Sequence, residues 1–361
     1  MGVAITTKCK TLLGQSMAYR KSKGKLARRK KIEPAVQTMI FEFPVSGDNV
    51  IDNYTIDLSQ CASLCNRRFY RQGINWAVAG FKFLSSSGTT GSVAIKKLPE
   101  TWVMSNAWEK SFRSWQRMNN EALSESESVR PRFLDFKVYA DDVHHAAGFA
   151  GNLLPGVLSP THVPATVGEW ESSKLVVPDT TSATGGTHTR ELIAVGASYP
   201  GAGASTFNAV SMIEGYAASR GLPNVLDPNA PDDAALADGA TPENWMSALF
   251  NEGTQQDDRV LEDMITENNI APYPFENDGV SLDTMYPGGA NQLAALQTHD
   301  TEFISGTTIA GTTRMKGGMF PCGLVRVVAQ KETTGGSSLF LQLDLVPGHH
   351  RGYLCEPMTE M

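Results

Sequence analysis

The sequence predicts a mainly β protein: a single antiparallel jelly-roll sandwich with a disordered basic N-terminal arm and a partly helical inserted projection. Three observations predict it. Apolar and polar residues alternate in short runs in the first and last thirds of the chain. Gly (33) and Pro (19) are abundant among many Ser and Thr, the composition of a loop-rich β body. Strand patterns never alternate regularly with helical ones, which argues against a parallel α/β sheet. At 361 residues the chain has room for one large domain or two ordinary ones.

Residues 1–34 form the arm. Eight of the twelve residues from Arg20 to Lys31 are basic: Arg20, Lys21, Lys23, Lys25, Arg28, Arg29, Lys30 and Lys31. Residues 1–35 carry a net charge of +9, against −16 for the remainder and −7 overall. Apart from Leu26 and Ala27 the run has nothing apolar to bury, so it cannot offset its ordering entropy and is expected to be disordered when free. Its natural counter-ion is a phosphate backbone. Eight contacts to a single strand give a slope of log K against log salt of about −6, roughly a thousandfold loss between 50 and 200 mM. Such contacts carry no sequence information. Tyr19 sits only at the edge, so no aromatic is interleaved to stack on bases, and the pattern reads as packaging or neutralisation. A nuclear-import signal is the alternative reading, compatible with the first.

Residues 35–198 are expected to hold the first part of the jelly roll. Met39, Phe41 and Phe43 share one face of a strand. Tyr54, Ile56 and Leu58 alternate with Thr55 and Asp57, and Trp76–Leu84 places Ala77, Ala79, Phe81 and Phe83 on one side. Val93 and Ile95 begin another strand, and the turn signals SGDN (46–49) and SSSGTTG (85–91) punctuate the runs. A helix follows, with Asn106 and Glu109 as a capping box and Trp108, Phe112, Trp115 and Met118 on one stripe. That stripe is either a ligand platform or a helix covering the open end of a sheet. Leu134, Phe136 and Val138 suggest a strand, and so does His188–Ser198.

Residues 199–300 read as an acidic insertion. Leu226–Asp283 has fourteen acids and one base, Arg259. Thr241–Pro242 starts one helix, and Asp257 or Asp258 a second. Such a stretch can reject polyanions, bind cations or form a solvated exterior. Residues 301–361 return to strands: Thr301–Thr313, Leu324–Ala329, and the strictly alternating Leu339, Leu341, Leu343 and Leu345. The GG at 317–318 and TTGGSS at 333–338 are expected to be hairpin connections.

No catalytic motif is present, so no enzyme activity and no cofactor are expected. His144 and His145 follow Asp141 and Asp142, but no fixed spacing supports a particular ion, and no metal is expected. The five cysteines give an odd count without paired spacing, and read as reduced, mostly buried thiols. No run approaches the roughly 18 apolar residues of a membrane span, and the N-terminus does not read as a signal peptide. Met1–Thr6 satisfies the loose myristoylation pattern, which matches often by chance.

KKLPETWVMSNAWEKSFRSWQRMN (96–119), FLDFKVYADDV (133–143) and NLLPG (152–156) resemble stretches of the capsid proteins of circular, Rep-encoding single-stranded DNA viruses. In size and split body the chain looks most like the bacilladnavirus capsids of diatom viruses, with a nodavirus-like jelly-roll coat. The resemblance implies an icosahedral shell of many copies of this chain, with the jelly roll as wall, the arm facing a single-stranded DNA genome and the insertion projecting outward. It also implies a virion protein assembled inside the host cell, in the nucleus, with no membrane partner; no host receptor is indicated. A second reading is a monomeric lectin-like or ligand-binding jelly-roll module with a nuclear-import tail.

Overall fold

A computed structural model describes residues 34–125, 128, 135–158, 161–179, 186–220, 295–305, 311–332 and 337–361. The basic residues Arg20 to Lys31, Cys9 and the two helices expected near Thr241 and Asp257 lie outside the described residues.

The chain begins with β1 (Thr38–Val45), β2 (Ile51–Asp57), α1 (Leu58–Asn66), β3 (Ile74–Leu84), β4 (Gly91–Lys97) and the long helix α2 (Trp102–Glu125). Then come α3 (Asp142–Ala147), β5 (Gly156–Leu158), β6 (His162–Pro164), β7 (Lys174–Asp179), β8 (Gly186–Ile193), β9 (Ala209–Ser211) and α4 (Met212–Arg220). The last part holds β10 (Gln297–Ile304), β11 (Thr312–Phe320), β12 (Leu324–Lys331), β13 (Ser337–Leu345), β14 (Pro347–Gly348), β15 (Gly352–Tyr353) and β16 (Cys355–Pro357).

The protein is mainly β, as its alternation predicts, and its two large sheets are antiparallel. One has the order β1-β13-β3-β11, with β16 added to β3; the other has the order β10-β4-β12-β2. Their apolar faces share one cluster, with Phe41, Phe43, Phe83 and Leu341 from the first sheet and Ile56, Ile95 and Val327 from the second. Each fully buried side chain of this size contributes about 1.5–3 kcal/mol over its exposed state.

Between β4 and β10 the chain leaves these sheets and builds a second layer. There α2 covers a small sheet, β7-β8-β9, in which β8 and β9 run parallel. Trp108 and Trp115 bury their rings against Phe136, and Leu175, Leu192, Val210 and Ile213 complete the cluster. The α2 stripe is therefore core over most of its length. Among the described residues no helix is long and apolar enough to cross a membrane.

Several local expectations are corrected. The helix starts at Trp102, where the Thr101 hydroxyl accepts the Met104 N–H (3.3 Å), so the Asn106–Glu109 pair lies inside it. Burial of Val103 and Met104 draws the first turn in ahead of the local signal. Leu58 begins α1 instead of ending a strand, because Asp57 caps that helix. Residues 135–138 are not a strand. Val138 gives its N–H to the Gln72 side chain (2.7 Å) and Lys137 gives its own to Ser173 Oγ (2.9 Å), so side chains replace a ladder. In β3 the pairing to β13 slips between Gly80 and Val78. That irregularity leaves Ala79 exposed and turns Trp76 and Val78 into the core beside Phe81 and Phe83.

The segment 301–313 is two strands in different sheets, β10 ending at Ile304 and β11 starting at Thr312. Gly317 and Gly318 are not a turn but the middle of β11. A Cβ on Gly317 would fall 2.1 Å from the Val78 carbonyl oxygen, so glycine is there for close strand approach. Likewise β12 and β13 belong to different sheets, so the connection after Lys331 crosses between them and is no hairpin.

Candidate nucleic-acid interface

The chain enters the described body at Pro34, just after the arm, and is fixed there by three side-chain hydrogen bonds. Val36 gives its N–H to Asn66 Oδ1 (3.0 Å), and its carbonyl accepts from the Tyr353 hydroxyl (2.6 Å). Gln37 Nε2 donates to the Gly352 carbonyl (3.1 Å), and Asn66 Nδ2 to Tyr353 Oη (2.7 Å). The last residue of α1 and the short strand β15 therefore hold the root of the arm, beside the loop 67–73 after α1 and the loop 349–351 before β15.

From Asn66 the first of these loops reads NRRFYRQG. Asp57 starts α1 by accepting the N–H groups of Ser59 (2.9 Å) and Gln60 (3.3 Å), and Arg67 ends it in the left-handed region at φ 54°. Beyond it the loop is pinned from inside. Tyr70 is buried, in ring contact with Trp76 and Tyr353, and its hydroxyl donates to the Arg351 carbonyl (3.0 Å). Gln72 is buried too; its amide donates to Asp57 Oδ2 (3.2 Å) and to the Val138 carbonyl (3.1 Å). With Tyr70 and Gln72 turned inward, Arg67, Arg68 and Arg71 are exposed. Arg351, also exposed and left-handed at φ 52°, donates from Nη1 to the Phe69 carbonyl and joins the two loops.

Beside this cluster opens a cleft of about 570 Å³. Arg71, Arg351, His350 and Gln116 stand around it, and Phe69, Phe112 and Trp108 supply aromatic walls. Phe112 stacks on Trp108 (5.2 Å, 11°) and lies nearly parallel to Trp115 (6.2 Å, 28°). It is only half-buried, and so presents ring surface to the cleft. The Trp108 indole N–H is buried without a hydrogen-bond partner among the described residues.

Asp135 also lines the cleft. Burial pushes its carboxyl up to about 6, although Lys137, at 3.5 Å, opposes the shift. The Lys137 ammonium lies over the Trp170 ring at 4.4 Å. His350 is held below its ordinary value by burial and then by the Arg351 charge, so at neutral pH it adds no cation. Asp57, the hub beneath the loop, is raised by burial despite accepting hydrogen bonds from Ser59, Trp170 and Gln72.

The histidine pair singled out from the sequence lies elsewhere, on α3, with both rings buried. His144 Nδ1 accepts the Ala140 N–H (3.0 Å), which fixes Nε2 as the donor to Asn152 Oδ1 (2.8 Å). Burial, with Arg326 nearby, lowers His144 to about 3. His145 meets Glu191 at 2.9 Å. Burial alone would raise Glu191, but hydrogen bonds from His145 and Ser172 outweigh it and hold the carboxyl low. Among the described residues no group of three or more His, Cys, Asp or Glu is placed to hold a metal ion. Cys61, Cys65, Cys322 and Cys355 are free thiols.

Sequence reading missed the arginine cluster, although three Arg and two aromatic residues within the eight of NRRFYRQG were a visible signal. Arg351 had none, because it joins the cluster from about 280 residues away. Comparison with protein families, with curated proteins and with solved structures finds no match to this chain.

Proposed function

We propose that this chain is a viral coat protein that assembles into an icosahedral shell and packages single-stranded nucleic acid through its basic N-terminal arm. The observation that carries the reading is the joining of a polycation to a rolled antiparallel body. Counted in chain order, the eight long strands of the two sheets are ordered 1-8-3-6 and 5-4-7-2. Strand 1 pairs with 8, 2 with 7, 3 with 6 and 4 with 5, each antiparallel. A single long hairpin ribbon rolled into two facing sheets would give these pairings, and they support the reading as a jelly roll, an architecture shared by capsid, lectin and cupin domains. Fold alone does not choose among those functions. Charge favours the capsid: the arm is +9 and the rest of the chain −16, so nucleic acid is drawn to one end and repelled elsewhere.

Exposed apolar side chains favour association of copies. Val157 and Val163 face each other across the β5–β6 hairpin at 71% and 62% exposure, and Phe303 on edge strand β10 is 76% exposed. The arm reads phosphate, not sugar, so the choice of DNA over RNA rests on the resemblance to single-stranded DNA virus capsids.

The test compares the full chain with a full-length variant in which the eight basic residues from Arg20 to Lys31 are replaced by Ser and Gln. Both are expected to form closed particles by negative-stain electron microscopy. Only the first should carry nucleic acid by ultraviolet absorbance, and once extracted from the particles this should be degraded by DNase, not RNase. Equal nucleic-acid content in the two would overturn the role of the arm. A chain that stays a monomer at all concentrations by light scattering would overturn the capsid reading and leave the binding-module alternative.

A further inference from the structure

We infer that the folded body holds a second contact for the packaged strand: Arg67, Arg68, Arg71 and Arg351 take its phosphates, and a base enters the aromatic cleft between Phe69 and Phe112. This rests on the reading that the chain packages nucleic acid, and adds where on the body the strand is gripped.

Position is the first argument. Val36 bonds to Asn66, next to Arg67, and to Tyr353, two residues past Arg351. Lys31 lies five residues before Val36, which even fully extended spans at most about 18 Å. Any strand neutralised by the arm is therefore brought to this rim. Chemistry is the second argument. Four guanidinium groups, each a planar fork matched to phosphate, are exposed on two loops that a hydrogen bond ties together. Among the described residues the cleft's one carboxylate is Asp135, whose side chain is buried and faces Lys137. Glu169 and Glu171, which flank Trp170 in sequence, are the exposed acids closest along the chain to the patch's aromatic edge.

Shape is the third argument. A cleft of about 570 Å³ lies within the range of small-ligand sites. Its half-buried Phe69 and Phe112 leave aromatic surface on the cleft, and contact of a base with such rings tolerates any base. Arg67 and Arg351 both occupy the left-handed region, which disfavours a residue with a Cβ. An exposed loop without a ligand is better served there by Gly or Asn.

The test measures binding of a fluorescent oligo-dT to the full-length chain as a function of salt, at concentrations where light scattering reports single subunits. Eight arm contacts and four patch contacts give a slope of log K against log salt of about −8. Replacing the patch by Arg67→Asn, Arg68→Gln, Arg71→Gln and Arg351→Gln is expected to flatten it to about −6, while neutralising the arm leaves about −3. Because Arg351 also braces the Phe69 carbonyl, the triple variant that keeps it serves as the folded control, expected to lose about 2 from the slope. Phe69→Ala should weaken binding about tenfold, and photo-crosslinking with an iodouracil-containing strand should label Phe69 or Phe112.

A patch variant with the full slope and no adduct on the body overturns this inference while the arm's role stands. Cross-links from these arginines to the acidic 226–283 stretch of a neighbouring copy, with oligo-dT binding unchanged, overturn it in favour of a protein partner. If neither the arm variant nor the patch variant weakens binding, the packaging reading itself fails.

Discussion

His144 makes the fold sensitive to acid, and the effect can be sized. The ring is 1% exposed and held neutral, accepting from the Ala140 N–H and donating to Asn152, whose amide passes to Gln60 (3.0 Å). Its folded value is depressed from 6.5 to about 3. Below pH 6.5 the unfolded chain therefore takes up a proton that the native state refuses, and stability falls as pH falls from 6.5 towards 3. At 1.36 kcal/mol per pH unit the loss reaches ~3 kcal/mol by pH 4 and ~5 kcal/mol at full extent. His144→Asn keeps an acceptor for the Ala140 N–H but leaves Asn152 Oδ1 without its donor, a cost of about 1–3 kcal/mol at neutral pH. Urea denaturation followed by tryptophan fluorescence across this range should show the variant less stable at pH 7.5 and equal to or above the native chain near pH 4. Other titrating groups are common to both chains and cancel in the difference. Parallel stability curves would refute the neutral, buried assignment.

Asp135 acts in the opposite sense. Its folded value is raised from 3.8 to about 6, so the native state binds the extra proton and stability falls as pH rises from 4 to 6, by ~3 kcal/mol. Asp135→Asn should gain up to about that amount in neutral-pH urea melts and lose the drift. Gly317→Ala should destabilise by about 3 kcal/mol or more, or leave the protein insoluble, because Val78 O and Ala79 O stand 2.1 and 2.4 Å from the new Cβ. Gly88→Ala has open space and should lose only about 1 kcal/mol to its positive φ in the same urea melts. Arg326 is buried, donates to Thr55 Oγ1 (3.0 Å) and is paired with Asp141, so Arg326→Leu should cost about 3–5 kcal/mol by urea melt. Adding Asp141→Asn should recover part of that loss by removing the stranded charge.

Local pattern was enough for most strands and not for their partners. Met39, Phe41 and Phe43 alternate in the sequence and are buried, as are Leu339, Leu341, Leu343 and Leu345. Nothing in either run says that they pair, yet Phe41 lies opposite Leu341 across 300 residues of chain. Register within a strand was legible only while the period held. The slip beside Ala79 reverses which residues of β3 face inward, and no residue there announces it. Gly317 shows the converse: a strong turn signal was overruled because close packing of β11 on β3 also demands glycine. Charge density marked the arm. The folded arginine cluster stayed hidden because it is made by the Arg351–Phe69 hydrogen bond between distant segments, not by a run.

The two cationic regions answer to different physics, which gives a criterion beyond mutagenesis. An arm that binds by charge number alone needs no fold, so its share of the salt slope should survive in urea that unfolds the body. A patch whose arginines are set by Tyr70, Gln72 and Asn66 should lose its share over the same urea range as the tryptophan fluorescence. On the proposed reading the short tether would also make the two cooperate. With Val36 only five positions after Lys31, a strand held by the arm as proposed would face the patch at an effective concentration in the millimolar range. A patch too weak to capture free nucleic acid would then still be filled whenever the arm is engaged. Lengthening the tether with Gly-Ser repeats should weaken the patch's share steadily, roughly as the −3/2 power of tether length, and leave the arm's share unchanged.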